Sequence, residues 1–585
     1  MIKDIKHCKK CVHRHRNKHH NCKIKKCCKC LKKHICHIVK EYAEIVQNNY
    51  DQNQNMPNNN ITTPSILSNV VNNSSILNRN TLICKPFTKK LNISSDLLQK
   101  ILESKNIANI QIPNQNNIDG LLEDMDGIPL LPSNLDIRNK LLLQNTNIVK
   151  PNTTTVSNLA TSVKKMNIVT SSQTYPIYTP MDLVNAYDMN TFDNNNVQRG
   201  LGQTITIVIA YHYPNLLTDL NTFKSNFLPS SYPSPTVQVT EMYNVYLNGT
   251  DATKKRWAQN TNYNSYRNTS YTSGWYLEEC MDLQAVYTMA PYATIRIICA
   301  LGDSLTYIND AVQYAINFKD GNNKNTDIIT MSFGINETSI TSSNITSWSS
   351  FYKSNTLSLS LIASVGDTSD TIAFPSNLSN ILSVGGTALF MNENSKIGNK
   401  TITQGNYVKT IDNNNTYLTE FAWNGSSGGI SKFISMPSYQ TNAGISLFNT
   451  SITKRTTPDV AAVADPYTGA LIYAANTLQI LGGTSLSAPL WAGILAVINQ
   501  QRINLGKSQL HTNTPNGSTL HNALYDTTNT FIDQGSAIST STFDLFRDIQ
   551  YGYSGINVSD GGYDLITGLG SPCVALYKRL INTLP

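Results

Sequence analysis

A serine in the C-terminal third of the chain lies in a sequence typical of a nucleophile. Ser485 belongs to the run GGTSLSAPLWAG (482–493), in which two glycines precede it and an apolar helical pattern follows. A serine at a helix start faces unpaired backbone N–H groups and the positive end of the helix dipole, and both stabilise a developing oxyanion. Pro489 falls within the first turn or so, where a missing N–H is tolerated. Ser485 is therefore a candidate nucleophile; the alternative is that it only caps the helix.

A nucleophilic serine needs a proton acceptor, which is most often histidine. Beyond residue 40 the chain has three histidines, His212, His511 and His521, and none lies in the His-Gly-Thr setting of a subtilisin-type triad. The strand pattern TITIVIAYH (204–212) also lacks the aspartate expected at its end. We therefore expect solvated or satisfied core histidines, and we disfavour a histidine-dependent enzyme. A neutral-to-alkaline activity optimum would revive that alternative.

Two carboxylates offer a different base. Glu278 and Asp282 are four residues apart in a helical pattern (277–290), so both side chains project from one helix face. Such a pair is usually a solvated face, but the surrounding residues are apolar. If the pair is buried, the two carboxyls cannot both ionise readily, so one becomes a candidate base at acidic pH and the other its orienter. Glu279 is the neighbouring alternative and would point about a third of a turn away.

A third carboxyl follows an apolar strand pattern. Asp367 ends the run LSLIASVGD (359–367), and ligand sites in open α/β sheets lie at the carboxyl ends of strands. A protonated carboxyl there can donate a hydrogen bond to an oxyanion. The alternative is an ordinary turn aspartate.

The elements that must position these residues predict an α/β fold. Short β-branched runs at 204–212, 293–301, 327–334 and 359–367 alternate with helical patterns and Gly-rich turns. Buried strands alternating with helices favour a mostly parallel sheet flanked by helices.

Composition divides the chain into three zones. Residues 1–40 form a basic tail with 14 of the 46 Lys and Arg, 7 of the 11 Cys and 7 of the 10 His. Residues 41–170 are Asn-, Ser- and Thr-rich and read as a prosegment or linker, and residues 171–585 form the candidate catalytic domain. No apolar h-region follows the basic N-terminus and no apolar run reaches the roughly 18 residues of a membrane helix, so we expect a soluble protein with no membrane partner and an undecided compartment.

An ordered series of motifs resembles the sedolisin family, the serine-carboxyl peptidases with a subtilisin-like fold. The resemblance covers about 178–573 and includes the following motifs: YTPMDLVNAYDM, Glu278-x-x-x-Asp282, SFG (332–334), SVGD, SVGGT (383–387), RTTPDVAAVADPYTG (455–469), GGTSLSAPLWAG and GGYDLITGLGSP. Each motif is weak alone, and their shared order makes the match specific. The sequence departs from the family at Phe333, where a larger aromatic is often found, and at Met281, where leucine is expected.

The resemblance implies a role for each candidate residue. Ser485 would be the nucleophile, Glu278 the general base, Asp282 its partner and Asp367 the oxyanion-hole acid. It also implies one Ca²⁺ site held by carboxylates and carbonyl oxygens, with these ligands: Asp548, Ile549, Asp560, Gly562 and Asp564. Family members are made as zymogens, so residues 41–170 are expected to inhibit and a maturation point is expected near 165–178. Endopeptidase and tripeptidyl-peptidase activity both stay open.

The basic tail allows two interpretations. Its Cys and His, as in Cys8-x-x-Cys11 and Cys27-x-x-Cys30, could bind Zn²⁺. The alternative is a disordered tail that binds nucleic acid or another polyanion. We expect a monomer that acts on protein or peptide substrates; the alternative function is an inactive peptidase-like protein that binds polyanions through its tail.

Overall fold

The computed structural model describes a short N-terminal segment and most of the chain from residue 178 onwards. The described residues are 82–90, 178–318, 325–353, 357–392, 396–397, 400–401, 407–411, 414–445, 452–514, 517–526, 545–549, 552–559 and 562–582. The predictions for the tail at 1–40, for most of the prosegment at 41–170, for a maturation point between 165 and 177, and for Asp560 lie outside them.

Strands and helices alternate along the described chain. The strands are β1 Lys85–Pro86, β2 Lys89–Lys90, β3 Thr204–Ala210, β4 Thr236–Glu241, β5 Thr294–Ala300, β6 Ile328–Met331, β7 Phe333–Asn336, β8 Ser360–Ser364, β9 Ala373–Phe374, β10 Leu382–Asn392, β11 Lys396–Ile397, β12 Lys400–Thr401, β13 Tyr407–Ile411, β14 Asn414–Ala422, β15 Gly429–Ser435, β16 Lys454–Thr457, β17 Val460–Val463, β18 Ala470–Ala474, β19 Thr477–Gly482, β20 Tyr553–Ser554 and β21 Asn557–Val558. The helices are α1 Pro180–Ala186, α2 Asn190–Asn194, α3 Leu216–Phe227, α4 Met242–Asn248, α5 Ala252–Asn260, α6 Tyr263–Ser273, α7 Trp275–Met289, α8 Leu305–Asn317, α9 Ser342–Ser349, α10 Ser438–Asn442, α11 Thr484–Asn504, α12 Thr519–Leu524 and α13 Val574–Asn582.

The central sheet is mostly parallel, as the alternating pattern predicted. Its strands run in the order β4, β5, β3, β6, β8, β10, with β17 also parallel to β10 and the antiparallel β14 and β13 extending it. Strands β3, β6 and β8 are buried along their whole length, because helices cover both faces of such a sheet. The fold is a subtilisin-like α/β architecture.

The run predicted at 327–334 forms two strands rather than one. β6 ends at Met331 in register with Ala363 of β8, and β7 starts at Phe333 in a separate three-stranded sheet with β1 and β9. Ser332 lies between them, at the carboxyl end of a central strand. That edge of a parallel sheet is where ligand sites form.

Two buried helices carry the candidate catalytic residues. Helix α11 is buried on nearly every side over its first 17 residues, and the second half of α7 is buried on all faces. A helix that is apolar all round belongs to a protein interior, and these two helices pack against each other. In the described part of the chain, no helix combines the length and apolarity needed to cross a membrane.

Candidate active site

The backbone conformation at the start of α11 shows whether Ser485 caps the helix or lies within its first turn. The N-cap residue is Gly483, with φ 94° and no side-chain cap, and the helix begins at Thr484. The interpretation of Ser485 as a helix cap is therefore wrong. Its position in the first turn leaves the neighbouring backbone N–H groups without intrahelical acceptors. The positive φ at Gly483 favours glycine, because an L side chain is strained there.

The Ser485 hydroxyl contacts a carboxyl of α7. Ser485 Oγ donates to Glu278 Oε2 at 3.0 Å, and both side chains are fully buried. The same hydroxyl lies 3.2 Å from the carbonyl oxygen of Ser332. A nucleophile within hydrogen-bond reach of a base is the arrangement that general-base activation requires.

Asp282 lies one turn further along α7 and is held by a serine. Ser332 Oγ donates to Asp282 Oδ1 at 2.8 Å and lies 3.4 Å from the carbonyl oxygen of Ser485. That carbonyl has no helical partner at position 489, since Pro489 has no N–H. The loop after β6 therefore connects the two helices through Ser332.

Burial dominates the electrostatics of the carboxyl pair. It raises the pKa of Glu278 well above its usual value, and the charge of Asp282 raises it further. Burial also raises the pKa of Asp282 to about 8. Among the described residues, Glu278 Oε1 and Asp282 Oδ2 are both buried without a hydrogen-bond partner. Two buried carboxyls so close together cannot both ionise readily, and a proton shared between them would satisfy these oxygens.

Asp367 approaches the start of α11 from the carboxyl end of β8. Its Oδ1 accepts the backbone N–H of Thr484 at 2.8 Å and the hydroxyl of Thr484 at 2.9 Å. Its Oδ2 is buried and has no partner within the described chain. Burial raises the pKa of Asp367 to about 7. Asp367 therefore contacts the helix that carries Ser485, which its interpretation as a local turn residue did not anticipate.

The alternative base and the three histidines lie elsewhere. Glu279 accepts from the backbone N–H of Tyr213 at 2.7 Å and contacts Nδ1 of His212 at 2.8 Å. His521 contacts Asp459 at 3.2 Å, and burial lowers the pKa of His511 to about 4. In the described residues, Ser485 has no hydrogen bond with a histidine or with Glu279, whereas Glu278, Asp282 and Asp367 gather around its helix start.

Four of the five predicted calcium ligands are described and lie close together. The backbone N–H of Gly562 donates to Asp548 Oδ1 at 3.0 Å. The Ser559 hydroxyl lies 3.1 Å from Asp564 Oδ2 and also donates to the carbonyl oxygen of Ile549. Burial raises the pKa of Asp564 to about 7. An all-oxygen donor set of this kind fits Ca²⁺.

Two contributors were missed from the sequence. Ser332 orients Asp282, and the motif SFG (332–334) was recognised without a role for its serine. Its place directly after an apolar strand is the signal that identified Asp367, and it would have identified Ser332 as well. Thr484, which binds Asp367, carries no comparable signal.

The comparisons with known proteins agree with the fold. The model of the subtilase family matches residues 279–537. Kumamolisin of Bacillus sp. (strain MN-32) is 27% identical over 310 residues, which cover 50% of this chain and 48% of kumamolisin. Sedolisin of Pseudomonas sp. (strain 101) is 30% identical over 217 residues, 36% of this chain and 31% of sedolisin. Tripeptidyl-peptidase sed4 of Aspergillus fumigatus is 30% identical over 211 residues, 30% of this chain and 32% of that protein.

The chain spans between about a third and a half of the length of these curated relatives. A solved structure of Pseudomonas sedolisin, titled a serine-carboxyl proteinase complexed with two molecules of pseudo-iodotyrostatin, covers 70% of this chain and 99% of its own. Its sequence identity is 20% and its TM-score is 0.46. The fold and the subtilase match define a subtilisin-like α/β protein. Within that class, the ordered motifs and the named relatives make the chain similar to members of the sedolisin family.

Proposed function

We propose that the chain is a serine-carboxyl peptidase that hydrolyses peptide bonds at acidic pH. The observation that carries the proposal is the 3.0 Å hydrogen bond between Ser485 Oγ and Glu278 Oε2 in a buried site. Among the described histidines none supports a histidine-dependent mechanism, because none hydrogen-bonds to Ser485, and His212 is engaged with Glu279 and His521 with Asp459.

In the proposed reaction, Ser485 Oγ attacks the carbonyl carbon of the peptide while Glu278 Oε2 accepts the hydroxyl proton. Asp282, held by Ser332, shares a proton with Glu278 and fixes its orientation. The tetrahedral adduct collapses as Glu278 returns the proton to the leaving nitrogen. Water then hydrolyses the acyl-enzyme by the same steps, with Glu278 again acting as base and acid.

The oxyanion is stabilised by the backbone N–H of Ser485 and by a protonated Asp367. The proposal is supported by the unpartnered, buried Oδ2 of Asp367, because a carboxyl whose pKa is about 7 carries a proton at acidic pH and can donate it in a hydrogen bond. Activity should therefore fall as the pH rises through about 7, where Asp367 ionises. It should also fall once the Glu278–Asp282 pair takes up a second proton, because Glu278 can then no longer accept the serine proton.

We further propose that Ca²⁺ stabilises the C-terminal loops through Asp548, Asp564 and the carbonyl oxygens of Ile549 and Gly562. Asp564 Oδ1 accepts two backbone N–H groups, whereas Oδ2 accepts only hydroxyls, which can rotate to give way to a cation. Chelation by EDTA should lower the Tm, and added Ca²⁺ should restore it. The Asp548→Asn variant should weaken that response, and a Tm independent of both reagents would exclude the site.

The test of the function is hydrolysis of a denatured protein substrate from pH 3 to 8 with Ca²⁺, using the full chain, Ser485→Ala and Glu278→Ala. The proposal predicts activity that peaks at acidic pH and is lost in both variants. A folded protein without activity at any pH would favour an inactive, tail-dependent binding protein.

A further inference from the structure

A segment far upstream of the catalytic domain lies across the candidate site as an extended chain. β1 pairs antiparallel with β7, with Lys85 opposite Gly334 and Pro86 opposite Phe333. β2 pairs antiparallel with β19, with Lys89 opposite Gly482. The segment 82–90 thus adds a strand to each side of the cleft, which is how proteins bind extended peptides.

The register places Phe87 and Thr88 beside the candidate catalytic atoms. The backbone N–H of Phe87 points at Ser485 Oγ, 3.1 Å away, and at the carbonyl oxygen of Ser332, 3.4 Å away. The hydroxyl of the next residue, Thr88, donates to Glu278 Oε2. The bond from Phe87 to Thr88 therefore joins a residue beside the nucleophile to a residue beside the base.

The carbonyl group of Phe87 faces the candidate oxyanion site. A Cβ built on Gly483 would lie 1.8 Å from the Phe87 carbonyl oxygen and 2.7 Å from Asp367 Oδ2. Both oxygens therefore crowd the same side of Gly483, directly before Ser485. A protonated Asp367, whose pKa burial raises to about 7, can donate a hydrogen bond to an oxyanion formed at this carbonyl.

The Phe87 ring occupies a slot between two glycines. A Cβ on Gly334 would lie 3.0 Å from the ring, and a Cβ on Gly366 would lie 3.3 Å from it. Side chains at either position would narrow the slot. A slot with a glycine on each side leaves room for a flat aromatic ring.

The cleft continues well beyond three residues on the N-terminal side of this bond. The backbone N–H of Cys84 donates to the carbonyl oxygen of Asp303 at 2.8 Å, and the N–H of Leu305 donates to the carbonyl oxygen of Leu82 at 2.8 Å. Six described residues, 82–87, therefore lie before the bond. A site that removes tripeptides must instead end at a free amino group after the third residue.

We propose that the Phe87–Thr88 bond is a cleavage site within this chain, and that the cleft belongs to an endopeptidase that selects an aromatic residue before the cut. The inference rests on the proposed peptidase function and adds its cleavage site and substrate class. Ser485 Oγ bonds to the Phe87 carbonyl carbon, the carbon–nitrogen bond to Thr88 breaks, and Glu278 transfers the serine proton to the Thr88 nitrogen. Water releases the new Phe87 carboxylate and regenerates Ser485. This cut is separate from a maturation point near 165–178.

The test follows the full-length chain at pH 4 to 5 by intact mass and N-terminal sequencing. We expect a new N-terminus at Thr88 in the wild type and in Phe87→Tyr, at least about tenfold slower cleavage of this bond in Phe87→Asp, and none in Ser485→Ala. Ile83→Ala, an exposed position of the same segment, is the matched control and should be cut at the wild-type rate.

A peptide assay separates the two classes of peptidase. N-acetylated LICKPFTKK, which has the sequence of residues 82–90, should be cut after its phenylalanine. Cleavage of KPFTKK with a free amino group, without cleavage of the acetylated peptide, would overturn the endopeptidase assignment. A chain that degrades a denatured protein substrate but leaves its own Phe87–Thr88 bond intact would refute the cleavage site alone. A chain inactive on every substrate would refute the proposed function together with it.

Discussion

Two buried groups of carboxyls in this molecule have opposite electrostatics. Asp459 accepts two hydrogen bonds from Arg455, at 2.7 and 2.6 Å, and one from the hydroxyl of Tyr525 at 2.7 Å, and it contacts His521 at 3.2 Å. Burial alone would raise its pKa, but the charges of Arg455 and His521 hold the pKa of Asp459 well below its usual range. Near Ser485, where the described residues place no cation against the pair, burial raises the pKa of Glu278 and Asp282.

The difference separates a structural carboxylate from carboxyls suited to chemistry. Asp459 is ionised and surrounded by donors, and it fixes the loop before β17 to β10 through the N–H of Ser383 at 2.9 Å. Glu278, Asp282 and Asp367 each keep one buried oxygen without a partner in the described residues. Unsatisfied buried groups cost stability and are kept where a substrate or a proton completes them.

The largest expected effect comes from removing the base while keeping its shape. Glu278→Gln should lower kcat/KM by about 10³-fold or more, because an amide cannot accept the Ser485 proton. Glu279→Gln is the matched control on the same helix turn, and it should cost stability through the lost contact with His212 but far less activity. Assays at equal folded concentration check this, and equal losses in both variants would contradict the assignment.

Replacing the candidate oxyanion acid should have the next largest effect. Asp367→Ala should lower kcat about 10²- to 10³-fold, the usual cost of losing one oxyanion-hole donor. Asp367→Asn keeps a donor that does not ionise, so it should retain more activity and lose the decline above about pH 7 that wild type shows. If the activity of Asp367→Asn still declines above about pH 7 as in wild type, another ionising group causes that decline.

Breaking the ion pair between Arg455 and Asp459 should affect folding instead of catalysis. Arg455→Ala leaves the Asp459 carboxylate buried without its main cation, at a cost of about 3–5 kcal/mol in the free energy of unfolding. Urea denaturation measures this loss, and kcat of the folded variant should stay within about twofold of wild type. A folded variant with a large loss of kcat would show that Asp459 also supports catalysis. That result would contradict the distinction between Asp459 and the carboxyls near Ser485.

The smallest effect expected is a pH dependence of stability. The native state holds protons on Asp282 and Asp367 up to about pH 8 and 7, whereas these groups release them near pH 4 when unfolded. Their contribution is therefore fully present below about pH 4 and lost as the pH rises through 7 to 8. The Tm should fall by a few degrees between pH 5 and 8, and Asp367→Asn should reduce that fall.

The sequence predicted the helix and strand ends that hold the candidate site. It did not predict the hydrogen bonds that connect them. The parallel sheet, the helical spacing of Glu278 and Asp282, and the serine at the start of α11 follow from periodicity and turn residues. The link from Ser332 to Asp282 and the orphan oxygen of Asp367 depend on tertiary packing, which no local pattern encodes. The segment 82–90 lies in an Asn-rich region, and its extended structure depends on pairing with β7 and β19 and on hydrogen bonds to Asp303 and Leu305.

The pH profile of kcat/KM on a peptide with an aromatic residue before the cut distinguishes a carboxyl base from a histidine base. If a buried carboxyl pair activates Ser485 and a protonated Asp367 stabilises the oxyanion, kcat/KM should peak at acidic pH and decline as the pH rises through about 7. A profile that rises through pH 7 to an alkaline plateau would show that a histidine-like base activates the serine, and it would contradict the account.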